Sequence, residues 1–267
     1  MMARRSVSPM IKRLLLAGAV ASILSFPADP AMSADGIDPE ADKILIAMST
    51  YLGSLPAFSM SADVDNEIVD LAGQKLQMSS TATFIIKRPE KLYVYRQGAF
   101  AEAEFIYDGE VLTLHGKGKN AYMQIKTSGN IDKAISTIEN EIGLDAPGAD
   151  LLLANPHASL AAGVTSSAYL GTAYVHGVEC HYLTFRADRV DWQLWVQVGK
   201  TPLPMKYIIT TKWVTGAPQY SVRFRDWNTR PQIKAEQFAF TVPEGARKLD
   251  TIPVNEVGEI VIGEGRK

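Results

Sequence analysis

The second part of this sequence is divided into short segments rich in Tyr, Val, Phe, Thr and Trp. We predict strands over residues 168–175, 178–188, 190–198, 204–214, 219–227 and 236–242. Turn residues separate them, among them Gly177, Asp188-Arg189, Gly199-Lys200 and Gly216-Ala217-Pro218. Many short strands at a spacing of ~8–12 residues are typical of antiparallel sheets that form sandwiches or barrels.

A period of two also runs from about Ala57 to Thr127. Phe84 and Ile86 share one strand face with Arg88, because side chains alternate between the two faces of a strand. Asp108-Gly109 is typical of a tight turn between two strands. This region is therefore predicted to be an antiparallel meander.

Two segments have helical spacing instead. Asp38-Pro39 is typical of a helix start, and apolar residues then recur every three or four positions as far as Leu55, before Pro56 ends the pattern. A second helical segment, residues 129–163, interrupts the strands. It is either an ordinary connection of core-packing helices or a lid over an apolar cavity. The predicted class is thus mainly antiparallel β with helices (α+β).

The N-terminus has the order of a secretory signal peptide. Positive residues come first, an uncharged apolar run Leu14–Leu24 follows, and small residues come next. The run is shorter than the ~20 residues needed to span a bilayer, which argues against a retained anchor. We predict cleavage after Ser33 or Ala34, a domain over residues 35–250, and a loose tail over 251–267. No cysteine lies near the cleavage site, so a lipoprotein is not expected.

Charge and motifs exclude several function classes. The whole chain has a net charge of −2, and without residues 1–34 it has 23 basic and 28 acidic residues, a net of −5, so nucleic-acid binding is not expected. The sequence lacks GxSxG, HExxH, GxxxxGK[ST] and CxxC. His176, Cys180 and His181 are poorly spaced on a strand for one metal ion, and Cys180 is expected to be a buried small hydrophobe. We predict no cofactor, no metal and no enzymatic activity.

Several short motifs resemble those of the lipoprotein-carrier (LolA-like) family. They are Phe84-Ile-Ile-Lys-Arg-Pro-Glu, Asp108-Gly-Glu-Val-Leu-Thr-Leu and Gln237-Phe-Ala-Phe-Thr-Val-Pro-Glu-Gly, in the family's order. The resemblance covers roughly residues 38–250. Through Leu203-Pro-Met and Phe224-Arg-Asp-Trp-Asn the chain is more similar still to a set of exported bacterial proteins that share this fold.

The resemblance implies an unclosed half-barrel whose mouth is covered by an N-terminal helix and a helical lid insertion, at about residues 129–163 here. Its concave apolar face would hold acyl chains. The arginine of the Lys-Arg-Pro motif, which matches Arg88, would hold the lid shut by bonding to its backbone. The strand period independently places Arg88 at the edge of an apolar face, where lid carbonyls are suitable acceptors.

The period also selects the residues that we expect to line this concavity, since each set alternates with residues that suit solvent, such as Lys87, Gln193 and Lys206. The expected ligand-binding residues are Phe84, Ile86, Leu92, Val94, Trp192, Leu194, Val196, Met205, Tyr207 and Ile209. Alternatively, these side chains pack directly on the helix stripe Ile44–Leu55 and leave no room.

Two function classes remain open. The first is a periplasmic, non-catalytic carrier for a lipid, acyl chain or lipoprotein. The second is an interaction, sensor or envelope scaffold module that binds another envelope protein and fills the concavity with its own side chains. Neither class would be an integral membrane protein after processing.

Overall fold

The computed structural model describes residues 36–99, 102–144 and 146–251. The predicted signal peptide, and the predicted tail from residue 252 onward, lie outside the described residues. The two domain boundaries therefore stay predictions.

Twelve strands form one sheet. Their bounds are β1 Ala57–Val69, β2 Lys75–Lys87, β3 Lys91–Gly98, β4 Glu102–Tyr107, β5 Val111–Gly116, β6 Ala121–Lys126, β7 Val164–Val175, β8 Val178–Ala187, β9 Val190–Gln197, β10 Pro204–Thr211, β11 Gln219–Asn228 and β12 Arg247–Lys248. The strand order is β12-β6-β5-β4-β3-β2-β1-β11-β10-β9-β8-β7. Two meanders, β1–β6 and β7–β11, therefore meet where β1 pairs antiparallel with β11.

The sheet stays open at β7 and at β12, and every pairing is antiparallel apart from β12 with β6. The predicted fold, a mainly antiparallel unclosed sheet with helices, is confirmed. Alternation gives the sheet one face that carries the buried core, which we call the inner face.

The N-terminal helix α1 (Pro39–Ser54) follows its sequence signals closely. The Asp38 side chain caps it by accepting hydrogen bonds from the backbone N–H groups of Glu40 and Ala41, at 2.9 and 3.4 Å. Its apolar stripe is buried, and the helix packs against β7 and β8. Asp38 also binds the sheet edge, because the Tyr169 N–H donates to its Oδ2 at 2.8 Å.

The second helical segment is an insertion between β6 and β7, as predicted, and consists of short pieces. They are α2 (Ile131–Thr137), a π turn (Ile138–Ile142), a 3-10 turn (Ala149–Leu152) and α3 (Pro156–Leu160). Gly143 ends the π turn with a positive φ of 70°, a conformation that glycine adopts without a steric cost.

The predicted strand over residues 236–242 is wrong. Ala235–Phe238 is a 3-10 turn, and the N–H groups of Gln237 and Ala239 bond to the nearby carbonyls of Lys234 and Glu236 instead of to a strand. The alternating pattern has another cause, since the Phe240 ring packs against the ring of Tyr122 on the sheet, with centroids 5.2 Å apart. The last pairing is made further on, by β12.

Candidate functional site

A cavity of about 450 Å³ lies between the helical insertion and the inner face of β1 to β4 and β11. Its volume falls within the ~300–1,000 Å³ of typical small-molecule sites. The sheet contributes Met60, Val64, Asn66, Ala82, Phe84, Leu92, Val94, Arg96, Ala103, Phe105, Tyr220, Val222 and Phe224; the insertion contributes Ile135, Ile138, Gly143, Leu144, Ala146, Pro147, Gly148, Ala149 and Leu152. Most of these side chains are apolar, so the cavity is suited to a hydrocarbon chain.

Three of the ten predicted ligand-binding residues line this cavity: Phe84, Leu92 and Val94. Phe84 and Val94 are direct partners across β2 and β3, and Leu92 lies opposite Ile86 in the same register. Ile86 is fully buried in the core beside them and is not part of the lining.

The other predicted residues lie further along the same core, outside the lining. Trp192, Leu194, Val196, Met205 and Tyr207 are buried, and Ile209 is packed against them. The Trp192 ring stacks on Phe185 with centroids 3.8 Å apart. In this part of the core the side chains of neighbouring strands pack on one another. That any of the ten residues binds a ligand stays a prediction.

Arg88, the predicted lid latch, contacts the insertion directly. Its Nη2 donates a hydrogen bond to the backbone carbonyl of Leu153 at 3.0 Å. The turn after β2 also binds the insertion, since the Ile131 N–H donates to the carbonyl of Pro89 at 2.8 Å. These two contacts hold the start of α2 and the residue after the 3-10 turn against the end of β2. Whether the Arg88 contact controls lid opening stays a prediction.

The Arg88 guanidinium is in a poorly solvated place. Burial lowers its pKa, while the carboxylate of Asp132 opposes that shift. Asp132 is itself held by the insertion, because its Oδ1 accepts the N–H of Ala154 at 3.0 Å. The buried Arg88 Nε finds no hydrogen-bond partner among residues 36–99, 102–144 and 146–251. Arg88 therefore depends on the insertion for its hydrogen bonding.

The lining also has three polar residues that were not predicted from the sequence, Asn66, Arg96 and Tyr220. Arg96 lies on the inner face after Leu92 and Val94, and its Nε donates to the Ser80 hydroxyl at 3.1 Å. Tyr220 lies across from Asn66 in the β1–β11 pairing. Burial raises the pKa of Tyr220 to about 12, and the nearby positive charge of Arg96 opposes this shift. The sequence does contain a signal for Arg96, because this charged residue stands at the next position of the face that carries Leu92 and Val94.

The residues considered for metal binding are placed as follows. Cys180 is fully buried, as predicted, and burial raises the pKa of its thiol to about 11, so it is a poor nucleophile. The ring of His181 contacts the Tyr169 hydroxyl at 3.2 Å. Within the described part of the chain, the structure shows no group of three or more His, Cys, Asp or Glu side chains placed to hold a metal ion.

Among the helices of the described residues, none is both long enough and apolar enough to cross a membrane.

The sequence belongs to a family described as predicted periplasmic protein (DUF2092), whose model it matches over residues 41–252. This agrees with the predicted export of the chain. Among curated protein sequences, none matches the chain significantly.

Solved structures similar to this fold include three that the chain covers over most of their length. An uncharacterised conserved protein from Thermus thermophilus has 10% identity and a TM-score of 0.45, with 79% of this chain and 98% of that chain covered. Lipoprotein LppX from Mycobacterium tuberculosis has 12% identity and a TM-score of 0.38, with 73% and 98% covered. A LolA superfamily protein from Nitrosomonas europaea has 12% identity and a TM-score of 0.37, with 75% and 97% covered.

Proposed function

We propose that this protein is a periplasmic carrier that binds the hydrocarbon chain of an amphiphile between its sheet and its helical insertion, and that it has no catalytic activity. The observation that carries the proposal is the cavity of about 450 Å³ with its mainly apolar lining. Burying one large apolar side chain is worth ~1.5–3 kcal/mol, and the same transfer drives an alkyl chain into such a space. The periplasmic description of the family supports the location.

In this proposal the insertion is the lid and Arg88 is its latch. An amphiphile has to enter and leave a covered cavity, so the lid has to move. The contact of Arg88 with Leu153 is a single hydrogen bond, and its loss would free the carbonyl end of the 3-10 turn. Local opening of short helical pieces requires less free energy than opening of the central strands.

A second candidate is an interaction or sensor module of the cell envelope. The packed part of the inner face, around Phe185 and Trp192, favours it, because that part has no space for a ligand. This module would bind a protein partner, and the cavity would be a packing defect that holds no ligand.

Native mass spectrometry of the protein extracted from its own periplasm distinguishes the carrier from the interaction module. The carrier is expected to hold a co-purifying amphiphile or to take up added laurate or lysolipid. Val94→Trp places an indole in the cavity and is expected to abolish uptake, whereas Thr83→Trp on the exposed face of the neighbouring strand is the matched control and is expected to retain it. Absence of any bound or added amphiphile in the unmodified protein would favour the interaction module.

A further inference from the structure

The polar side chains of the cavity gather toward one end of it. Asn66 and Tyr220 are direct partners across β1 and β11. Arg96 is paired in register with Ala82, but its side chain bonds to Ser80, two residues nearer the β1–β2 hairpin and therefore nearer to Asn66. Asn66, Arg96 and Tyr220 all line the same cavity.

This polar end is opposite to the latch. β2 runs from Lys75, beside the hairpin, to Lys87, and Arg88 follows directly after it. The cavity lining between the two arginines is made of apolar side chains such as Phe84, Val94 and Leu152. The cavity therefore has a hydrocarbon part next to the latch and a cationic, hydrogen-bonding part at its far end.

The cationic end has unused hydrogen-bonding capacity. Among the described residues, the only hydrogen bond of Arg96 is the one to Ser80, and Arg96 forms no ion pair with a carboxylate. A guanidinium has five N–H donors in a planar fork, which fits a carboxylate or a phosphate. Within the same described ranges, the Tyr220 hydroxyl and the side-chain amide of Asn66 also have no hydrogen-bond partner. Both groups can therefore donate to the same anion.

From this arrangement we infer that the ligand is a single-chain amphiphile with an anionic head group, a carboxylate or a phosphate, that binds Arg96 while its chain extends toward Arg88. This inference rests on the proposed carrier function and specifies its ligand class. A half-buried cation on an apolar wall is stabilised by an anionic partner. A neutral chain would fill the same space and leave the donors unused.

The test compares three ligands that share one alkyl chain: laurate, dodecyl phosphate and dodecanol. Their affinities are measured at about pH 8, where a carboxylic acid is ionised. We expect at least one of the two anions to bind roughly tenfold or more tightly than the alcohol, because a hydrogen bond to a charged group adds about that much affinity. A preference for laurate indicates a fatty acid, and a preference for dodecyl phosphate indicates a phospholipid-derived head group.

Three variants test whether the preference for an anionic head group comes from Arg96. Arg96→Met keeps the aliphatic stem and is expected to remove the preference for the anion while the alcohol still binds. Tyr220→Phe, which removes only a hydroxyl, is expected to reduce the preference by a smaller factor. Lys87→Met removes one charge from the exposed side of β2 and is the control, with an unchanged preference expected.

Equal binding of all three ligands to the unmodified protein would overturn the inference and leave the carrier proposal intact. The inference is also overturned, with the carrier proposal intact, if Arg96→Met weakens binding of the alcohol as much as binding of the anions. It is overturned as well if Lys87→Met removes the preference for the anions as Arg96→Met does. If none of the three ligands binds, the carrier proposal and this inference both fail.

Discussion

The two halves of the sheet have the same alternation of side chains, but one half leaves a cavity and the other is filled. In the half formed by β1 to β4, alanines on the inner face, Ala82 and Ala103, leave space under the insertion. In the half formed by β7 to β10, the stacked rings of Phe185 and Trp192 fill the space. A period of two thus decides which side chains face inward, while their sizes and the covering element decide whether a cavity remains.

The covering elements also differ. Over β7 and β8 lies α1, a continuous helix of 16 residues with one buried stripe. Over the cavity lies the insertion, whose longest regular helix, α2, has seven residues. Helices this short have little stability of their own, so the insertion depends on its contacts with the sheet. We therefore expect the cavity half to be the mobile half.

The largest expected effect is on core packing. Leu194→Ala in the filled half should lower the free energy of unfolding by about 4–5 kcal/mol, the upper part of the range for this substitution, because Leu194 is fully buried. Leu92→Ala, at a lining residue that is 2% exposed, should cost only about 2–3 kcal/mol, because Leu92 already borders a void and loses fewer contacts. Urea unfolding measures both, and equal costs would remove the distinction between the halves.

The converse substitution adds volume. Ala41→Leu, at the fully buried stripe of α1, should cost about 1–3 kcal/mol because the site is closely packed. Ala82→Leu enters the cavity and should change the free energy of unfolding by less than about 1 kcal/mol. If Ala82→Leu is as costly as Ala41→Leu in thermal or urea unfolding, the cavity does not persist in solution.

The latch gives a third comparison. Arg88→Leu keeps apolar bulk and leaves the carbonyl of Leu153 without its donor, at a cost of about 1–3 kcal/mol. We expect this variant to bind a hydrophobic dye more strongly under native conditions, because the lid opens more often. Lys87→Leu is the exposed neighbour that serves as control. Unchanged dye binding and unchanged stability of Arg88→Leu would show that Arg88 is not a latch.

The smallest expected effect concerns the anchoring of α1. Asp38→Ala removes the helix cap and should cost about 1 kcal/mol at neutral pH. The backbone N–H of Tyr169 is the main cause that lowers the pKa of Asp38 from its ordinary value of 3.8. The carboxylate therefore stabilises the folded state fully above about pH 5, and this stabilisation is lost as the pH falls through the lowered pKa.

Unfolding curves at several pH values check this expectation. The difference between the unmodified protein and Asp38→Ala should be constant above about pH 5 and should shrink below about pH 4. A difference that persists unchanged in acid would mean that the charge of Asp38 has no part in fixing α1.

Local signals were sufficient to predict most of the fold. Asp38-Pro39 and Pro56 bounded α1, and Asp108-Gly109 did form the turn between β4 and β5, where the Asp108 side chain accepts the N–H of Val111 at 2.7 Å. The exception, residues 236–242, has a strand-like alternation that arises from packing on a sheet face. Alternation alone does not distinguish a strand from an irregular segment that packs on the face of a sheet.

The candidate site was predictable only in part. The strand period placed Phe84, Leu92 and Val94 on the inner face, but it could not show that β11 would pair with β1 and bring Tyr220 to the cavity, because that pairing joins residues far apart in the sequence. Arg96 could have been found, as a charge that interrupts an apolar face. Which part of the face stays open depends on the covering helices, whose positions the period does not determine.

Hydrogen exchange of the backbone amides, with and without laurate, tests the difference between the two halves most directly. Without ligand, we expect the amides of residues 131–152 to exchange faster than those of β8 to β10. Added laurate should slow exchange in this insertion and at the cavity strands β3 and β4, and should leave β8 to β10 unchanged. Equal protection of the two halves without ligand, or a laurate effect centred on β8 to β10, would contradict these expectations.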